Sequence, residues 1–189
     1  MSTIPNIGIY FGTDTGRTRR IAKLIAQKLG DMHGLMTTAP LNINRVTLED
    51  FLAHELLILG CPTYGDGELP GLSCGLANES WEEFLPKLAG SDMQGKKVAL
   101  FGLGEQEKYP DEFVDALIFI HDAVLDCGAS IVGTWPLEGY SFKASAAVLD
   151  NRFVGLPLDQ ISQAALTDAR VDAWLHQLVG EANLQRSAA

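Results

Sequence analysis

The sequence predicts an α/β fold: a doubly wound, five-stranded parallel sheet with helices on both faces, in one domain over residues 1–189. Three observations predict it. Short apolar runs alternate with helical patterns along the chain, several of the runs are continuously apolar as strands buried on both faces must be, and polar, glycine-rich stretches follow them.

Taken in order, Ile7 to Phe11 is the first strand and ends at Gly12, after which Ile21, Leu24, Ile25 and Leu29 fall on one helical face. Leu41 to Val46 alternates as a second strand, and Thr47 to Asp50 offers hydroxyl and carboxylate to cap a short helix. Leu56 to Leu59 is the third strand, followed by a polar stretch from Pro62 to Asn78. Trp81, Phe84, Leu85 and Leu88 recur at helical spacing, and Lys97 to Gly102 reads as a fourth strand. Phe113, Leu117, Ile120 and Val124 mark a longer helix closed by Gly128 at its C′ position. Ser130 to Trp135 starts a fifth strand that residues 139–157 interrupt. Val171, Trp174, Leu175, Leu178 and Val179 form the stripe of a last helix, for which Thr167 is the expected cap. Parallel neighbours need right-handed crossovers, and ligands in such sheets bind beyond the carboxyl ends of the strands. The loops at 12–18, 61–78 and 102–112 are therefore the ones that matter.

Composition narrows the function. Hydrophobic residues at 47% and charged residues at 20% fit an ordinary globule, and no apolar run reaches the ~18 residues of a membrane span. The first residues, MSTIPNIGIYFG, lack a basic start and a cleavage site, so a cytoplasmic location is expected. Cys61, Cys74 and Cys127 show neither paired spacing nor a histidine cluster, which argues against a disulfide framework or a metal site. Cys74, in a polar loop with glycines, is the expected exposed thiol and the route to a disulfide-linked dimer of an otherwise monomeric chain. A net charge of −10 disfavours nucleic acid and favours cationic protein partners.

The first loop, Gly12 to Thr18, sets three threonine hydroxyls and several backbone amides at the start of a helix, a cradle for phosphate held by neutral donors and the helix dipole. It has no Walker lysine and no G-x-G-x-x-G, which argues against nucleoside triphosphates and dinucleotides. Tyr64 and Tyr109, in the second and third loops, offer flat apolar walls whose hydroxyls stay near water. Gly65, lacking Cβ, permits either sign of φ and hence a peptide flip.

These three loops, T-x-T-G-x-T after the first strand, G-C-P-T-Y-G-D-G-E-L-P-G at 60–71 and G-L-G-E-Q-E-K-Y-P-D-E-F at 102–113, resemble those of the flavodoxins, and the resemblance runs from residue 7 to about 184. It implies the strand order 2-1-3-4-5, bound FMN, and a low-potential one-electron carrier using the semiquinone/hydroquinone couple rather than an enzyme. It assigns Thr13, Asp14, Thr15, Gly16, Arg17 and Thr18 to the FMN phosphate. Pro62, Thr63, Tyr64, Gly65, Asp66 and Gly67 fall on one side of the flavin, with Gly65 as the carbonyl that turns toward it; Gly102, Leu103, Gly104, Glu105, Tyr109, Glu112 and Phe113 fall on the other. The segment Tyr140 to Pro157 resembles the insertion that splits strand five in long-chain flavodoxins. The stretch 69–86 is most similar to flavodoxins associated with nitrogen fixation, implying nitrogenase reductase as an acceptor and a reductase or 2-oxoacid oxidoreductase as donor. Two positions depart from the family pattern: Glu105 stands where aspartate is common, and Asp159-Gln-Ile-Ser lacks the acidic and asparagine character usual there.

Asp66, Glu68, Glu105, Glu107, Asp111 and Glu112 crowd the two flavin loops. At ~10 Å in a water-like dielectric each carboxylate costs about 0.4 kcal/mol, so together they lower the second potential by roughly 100 mV before screening. Two other readings compete. A flavodoxin-like NAD(P)H-dependent flavin or quinone reductase would need an acid, base or nucleophile in the loops, and His33, His54, His121 and His176 all map to helices or their edges. A phosphoacceptor receiver domain would need aspartates where Phe11-Gly12 and Gly60-Cys61 stand.

Overall fold

A computed structural model of the chain describes residues 6–13 and 15–184. In chain order the elements are β1 (Ile7–Phe11), α1 (Arg17–His33), β2 (Leu41–Asn42), α2 (Leu48–Leu52), β3 (Leu56–Pro62), α3 (Trp81–Leu88), β4 (Lys97–Leu103), α4 (Leu117–Asp126), β5 (Ser130–Val132), β6 (Trp135–Pro136), β7 (Val148–Leu149), β8 (Arg152–Phe153), β9 (Leu156–Leu158) and α5 (Thr167–Glu181). The main sheet is parallel with order β2-β1-β3-β4-β5, and β9 also pairs with β4. β5 lies along Lys97–Ala99 and β9 along Phe101–Leu103, so the two are halves of one interrupted fifth strand.

The continuous apolar runs are explained by two cores. Ile7, Ile9, Ile58 and Phe101 face α1 and α5 with Ile21, Ile25, Leu29, Val171, Trp174 and Leu178. Tyr10, Leu57, Leu59, Val98 and Leu100 point the opposite way, onto α3 and α4 with Trp81, Phe84, Leu117, Ile120 and Val124. Alternate side chains are thus buried on both faces, leaving no polar side to the strand pattern. Among the described residues no helix is long and apolar enough to cross a membrane.

Four boundaries differ from those the sequence predicts, each for a local reason. β2 is two residues long because Asn42 Oδ1 accepts the Asn44 N–H at 3.3 Å, a side-chain turn that diverts Ile43–Arg45 into a 3₁₀ turn. β5 stops at Val132 because Gly133 takes φ 74°, and its carbonyl is held by the Trp174 indole N–H at 2.8 Å. α4 starts at Leu117, since Val114 sits at φ 54° and breaks any helix through Phe113. Thr167 does not cap α5; it is the first helical residue, and its Oγ1 accepts from the Gln160 side-chain amide. Thr47 caps α2 as expected, accepting the Asp50 N–H at 3.1 Å, and Gly128 sits at φ 93° just past α4.

The insertion is built. β6, β8 and β7 form a small antiparallel sheet whose Phe153 packs with Phe113, Tyr140 and Phe142. At the other face, fully buried Trp81 donates its indole N–H to the Gly60 carbonyl at 2.8 Å, which also accepts Gly12 N–H at 3.0 Å. Trp81 thereby ties α3 to the ends of β1 and β3. Trp81→Phe is expected to cost about 1–2 kcal/mol, from a lost hydrogen bond and a small cavity. It should appear as a lower urea midpoint with an unchanged slope.

Candidate functional site

The carboxyl ends of β1, β3 and β4 open onto two adjoining cavities of about 180 and 200 Å³, both lined by Thr63, Tyr64, Gly104, Glu105 and Tyr109. The first extends to Thr15, Arg17 and Thr18 at the start of α1, with Pro62 and Leu103; the second takes in Gly65 and Glu112. Three separate loops therefore meet around one space, as the sequence predicts.

The first loop turns into α1 through Gly16, whose φ of 85° suits glycine and whose N–H is held by Thr13 Oγ1 at 3.0 Å. Thr18, 1% exposed, places its Oγ1 in the interior with no hydrogen-bond partner among the described residues. A buried hydroxyl without a partner beside a helix N-terminus is a donor that an anion there can satisfy. Arg17 reaches Glu105 at 3.7 Å, linking the first and third loops. Asp14 lies outside the described residues.

The second loop is a tight turn in which Tyr64 and Glu68 exchange backbone hydrogen bonds of 3.0 and 2.7 Å. Gly65 takes φ 47° and Gly67 φ 92°. A Cβ on Gly65 would lie 2.5 Å from Glu68 Oε2, and one on Gly67 would lie 3.0 Å from Asp115 Oδ2. Asp115 also accepts the Ala146 N–H at 2.8 Å, so it sits between this turn and the insertion; burial pushes its carboxyl up against that hydrogen bond.

The third loop is held from outside the three motifs. Its Gln106 is buried, donating its N–H to Asp159 Oδ2 at 3.1 Å and accepting Ser141 N–H on Oε1 at 2.6 Å. Asp159, 1% exposed, also accepts from Ile161 N–H and Ser162 N–H, both at 2.9 Å, and from Ser162 Oγ at 2.6 Å. Burial works to raise its pKa, but these hydrogen bonds outweigh it and hold the carboxyl below the ordinary aspartate range. The insertion adds Lys143 and Ala144 N–H bonds to the Pro110 carbonyl, at 2.7 and 3.0 Å. Tyr109, 42% exposed, stands at the mouth of the cavities.

Of the residues the sequence singles out, Thr15, Arg17, Thr18, Pro62, Thr63, Tyr64, Gly65, Leu103, Gly104, Glu105, Tyr109 and Glu112 line this space. Thr13, Gly16, Asp66 and Gly67 shape its loops without lining it. Gly102 packs on Leu117, where a Cβ would come within 2.7 Å, and Phe113 is buried in the insertion's aromatic cluster. Gln160 and Ile161 line the cavity; the sequence marks Asp159-Gln-Ile-Ser only as a departure from the family pattern and places neither them nor the anchor Asp159 in the site. The signal was Asp159 followed three residues on by Ser162, a carboxylate that folds a turn onto its own backbone. None of the four histidines lines either cavity; His54, for one, is buried against Tyr10. The acidic crowd is partly neutralised, by Arg17 on Glu105 and by Lys143 on Asp111 at 3.7 Å. Cys61 and Cys127 are buried and Cys74 is half-buried, its thiol donating to the Leu69 carbonyl at 3.1 Å.

The chain resembles known proteins along most of its length. A family model described as flavodoxin matches residues 9–174. A flavodoxin of Klebsiella pneumoniae is 53% identical over 173 residues, covering 92% of this chain and 96% of that protein. Flavodoxin 1 of Escherichia coli strain K12 is 42% identical over 182 residues, 94% of each. The crystal structure of Fusobacterium nucleatum flavodoxin bound to flavin mononucleotide superposes with a TM-score of 0.83 at 29% identity, over 94% of this chain and 98% of that one. With a matching family model, close relatives over nine-tenths of its length and the sheet order 2-1-3-4-5, the chain belongs to the flavodoxin family.

Proposed function

We propose that residues 1–189 form a single unit that binds one FMN and serves as a low-potential one-electron carrier between redox proteins. The observation that carries this reading is Thr18 Oγ1, buried and unpartnered where the first cavity meets the start of α1. Thr13, Asp14, Thr15, Gly16, Arg17 and Thr18 would hold the phosphate. Pro62 to Gly67, and Gly102 to Glu105 with Tyr109, Glu112 and Phe113, would hold and frame the ring. The cofactor, when bound, supplies the capacity to accept and release electrons singly.

The chain's own residues do the rest. Tyr64 and Tyr109 flank the space and exclude water from it. The Gly65 peptide, free of Cβ, presents either its N–H or its carbonyl to the ring edge. Arg17 offsets the Glu105 charge at the cavity wall. The remaining carboxylates disfavour added negative charge and so keep the potential low.

The acceptor in this reading is nitrogenase reductase, supported by the stretch 69–86, and the net charge of −10 suits a cationic docking face. The protein works in the cytoplasm as a monomer. A dimer linked through Cys74 forms slowly, because partial burial and the nearby Glu68 and Glu82 carboxylates push that thiol up; Cys74→Ser should abolish it on a non-reducing gel. The reading as a whole is tested by reducing the purified, FMN-loaded protein and mixing it with nitrogenase reductase. Electron delivery without NADPH oxidation by the protein alone is the expected result. Steady NADPH oxidation with no partner would instead favour a flavin or quinone reductase.

A further inference from the structure

A larger cavity than those described above lies at the same edge of the sheet. A cleft of about 330 Å³ opens at the carboxyl ends of β1 and β2; it shares no lining residue with the two tyrosine-walled cavities but abuts the phosphate loop of α1 through Thr13. Its volume lies within the ~300–1,000 Å³ usual for small-ligand sites.

Its chemistry is one-sided in a chain of charge −10. Arg19 and Arg45 line it, and neither forms an ion pair among the described residues. The lining carboxylate, Glu79, is engaged by Lys87 at 3.5 Å. Asn44 and Asn78 add carboxamides, while Asn42 is spent on the scaffold, its Nδ2 donating to the Thr13 carbonyl at 3.4 Å. Against these polar groups stands an apolar wall headed by Leu41, 42% exposed at the end of its strand. Two guanidiniums call for an anion that takes paired hydrogen bonds, the amides for hydrogen-bonding edges, and the leucine wall for a flat apolar face. An inorganic anion would leave the wall wet.

We propose that this cleft is a second ligand site, distinct from the cofactor cavity, that binds a nucleoside monophosphate, with its phosphate on Arg19 and Arg45 and its base against Leu41. The assignment does not depend on the FMN reading. The test is nonetheless made on the FMN-loaded protein, so that the phosphate loop of α1 does not compete; its flavin absorbance reports loading independently.

The experiment is a calorimetric and ¹⁵N-NMR titration with AMP, adenosine and inorganic phosphate. Saturable AMP binding is expected, with shifts at residues 41–45, and binding of adenosine and of phosphate at least about ten-fold weaker. The double variant Arg19→Gln, Arg45→Gln should lose at least about ten-fold in AMP affinity at unchanged flavin content, and Leu41→Ser should weaken AMP while leaving phosphate alone. AMP that fails to saturate, affinity unchanged in the arginine variant, or equal affinity for phosphate and AMP would each overturn the proposal.

Discussion

Asp159→Ala is expected to cost about 1.5–3 kcal/mol, the largest loss from any single carboxylate at the site. The deletion leaves the buried Gln106 N–H and the part-buried N–H groups of Ile161 and Ser162 without their acceptor. It also releases the loop that carries Tyr109 from the loop that carries Gln160 and Ile161, so cofactor affinity should fall with stability. Urea denaturation with and without FMN measures both. The acid limb gives a second signature. Because the folded carboxyl is held below its ordinary pKa, its stabilisation is complete above about pH 3.9 and is lost as pH falls through the lower folded value. The variant should therefore show a shallower loss of stability with acid than the parent.

Gly65→Val is expected to move the two one-electron potentials toward each other by tens of millivolts, the equivalent of about 1 kcal/mol from one net hydrogen bond. The residue takes φ 47°, a region that disfavours side chains and β-branched ones most, and a Cβ there meets the Glu68 carboxylate at 2.5 Å. Valine thus opposes one of the two peptide orientations that the carrier reading requires. A dithionite titration reads the result as a smaller long-wavelength absorbance midway through reduction, with Gly65→Ala separating backbone strain from bulk. An unchanged titration would place the flip elsewhere in the turn or remove it.

The fold was legible because burial on both faces writes itself into the strands: Leu56 to Leu59 admits no polar position, since alternate residues enter opposite cores. That the first loop and the two tyrosine-bearing loops meet was legible because each motif is contiguous. What escaped was set by contacts between distant segments. Asp159 lies 53 residues beyond Gln106, and nothing local to either announces the pairing. Gly133 ends β5 with a carbonyl held from α5, and Phe113 looks like a cavity residue in its motif until the insertion supplies the three aromatic rings that bury it. The short β2 is the exception, a local competition that Asn42 wins over the strand pattern.

The central claim is that neutral donors at the start of α1 recognise a phosphate attached to a flavin. Fluorescence titration of the cofactor-free chain with FMN and with riboflavin, in the parent and in Thr18→Val, tests it most directly. The account predicts one FMN per chain, riboflavin weaker by at least about a hundred-fold, and a Thr18→Val loss of about ten-fold that falls on FMN and spares riboflavin. Equal affinity for the two flavins, or a Thr18→Val effect of the same size on both, would contradict it.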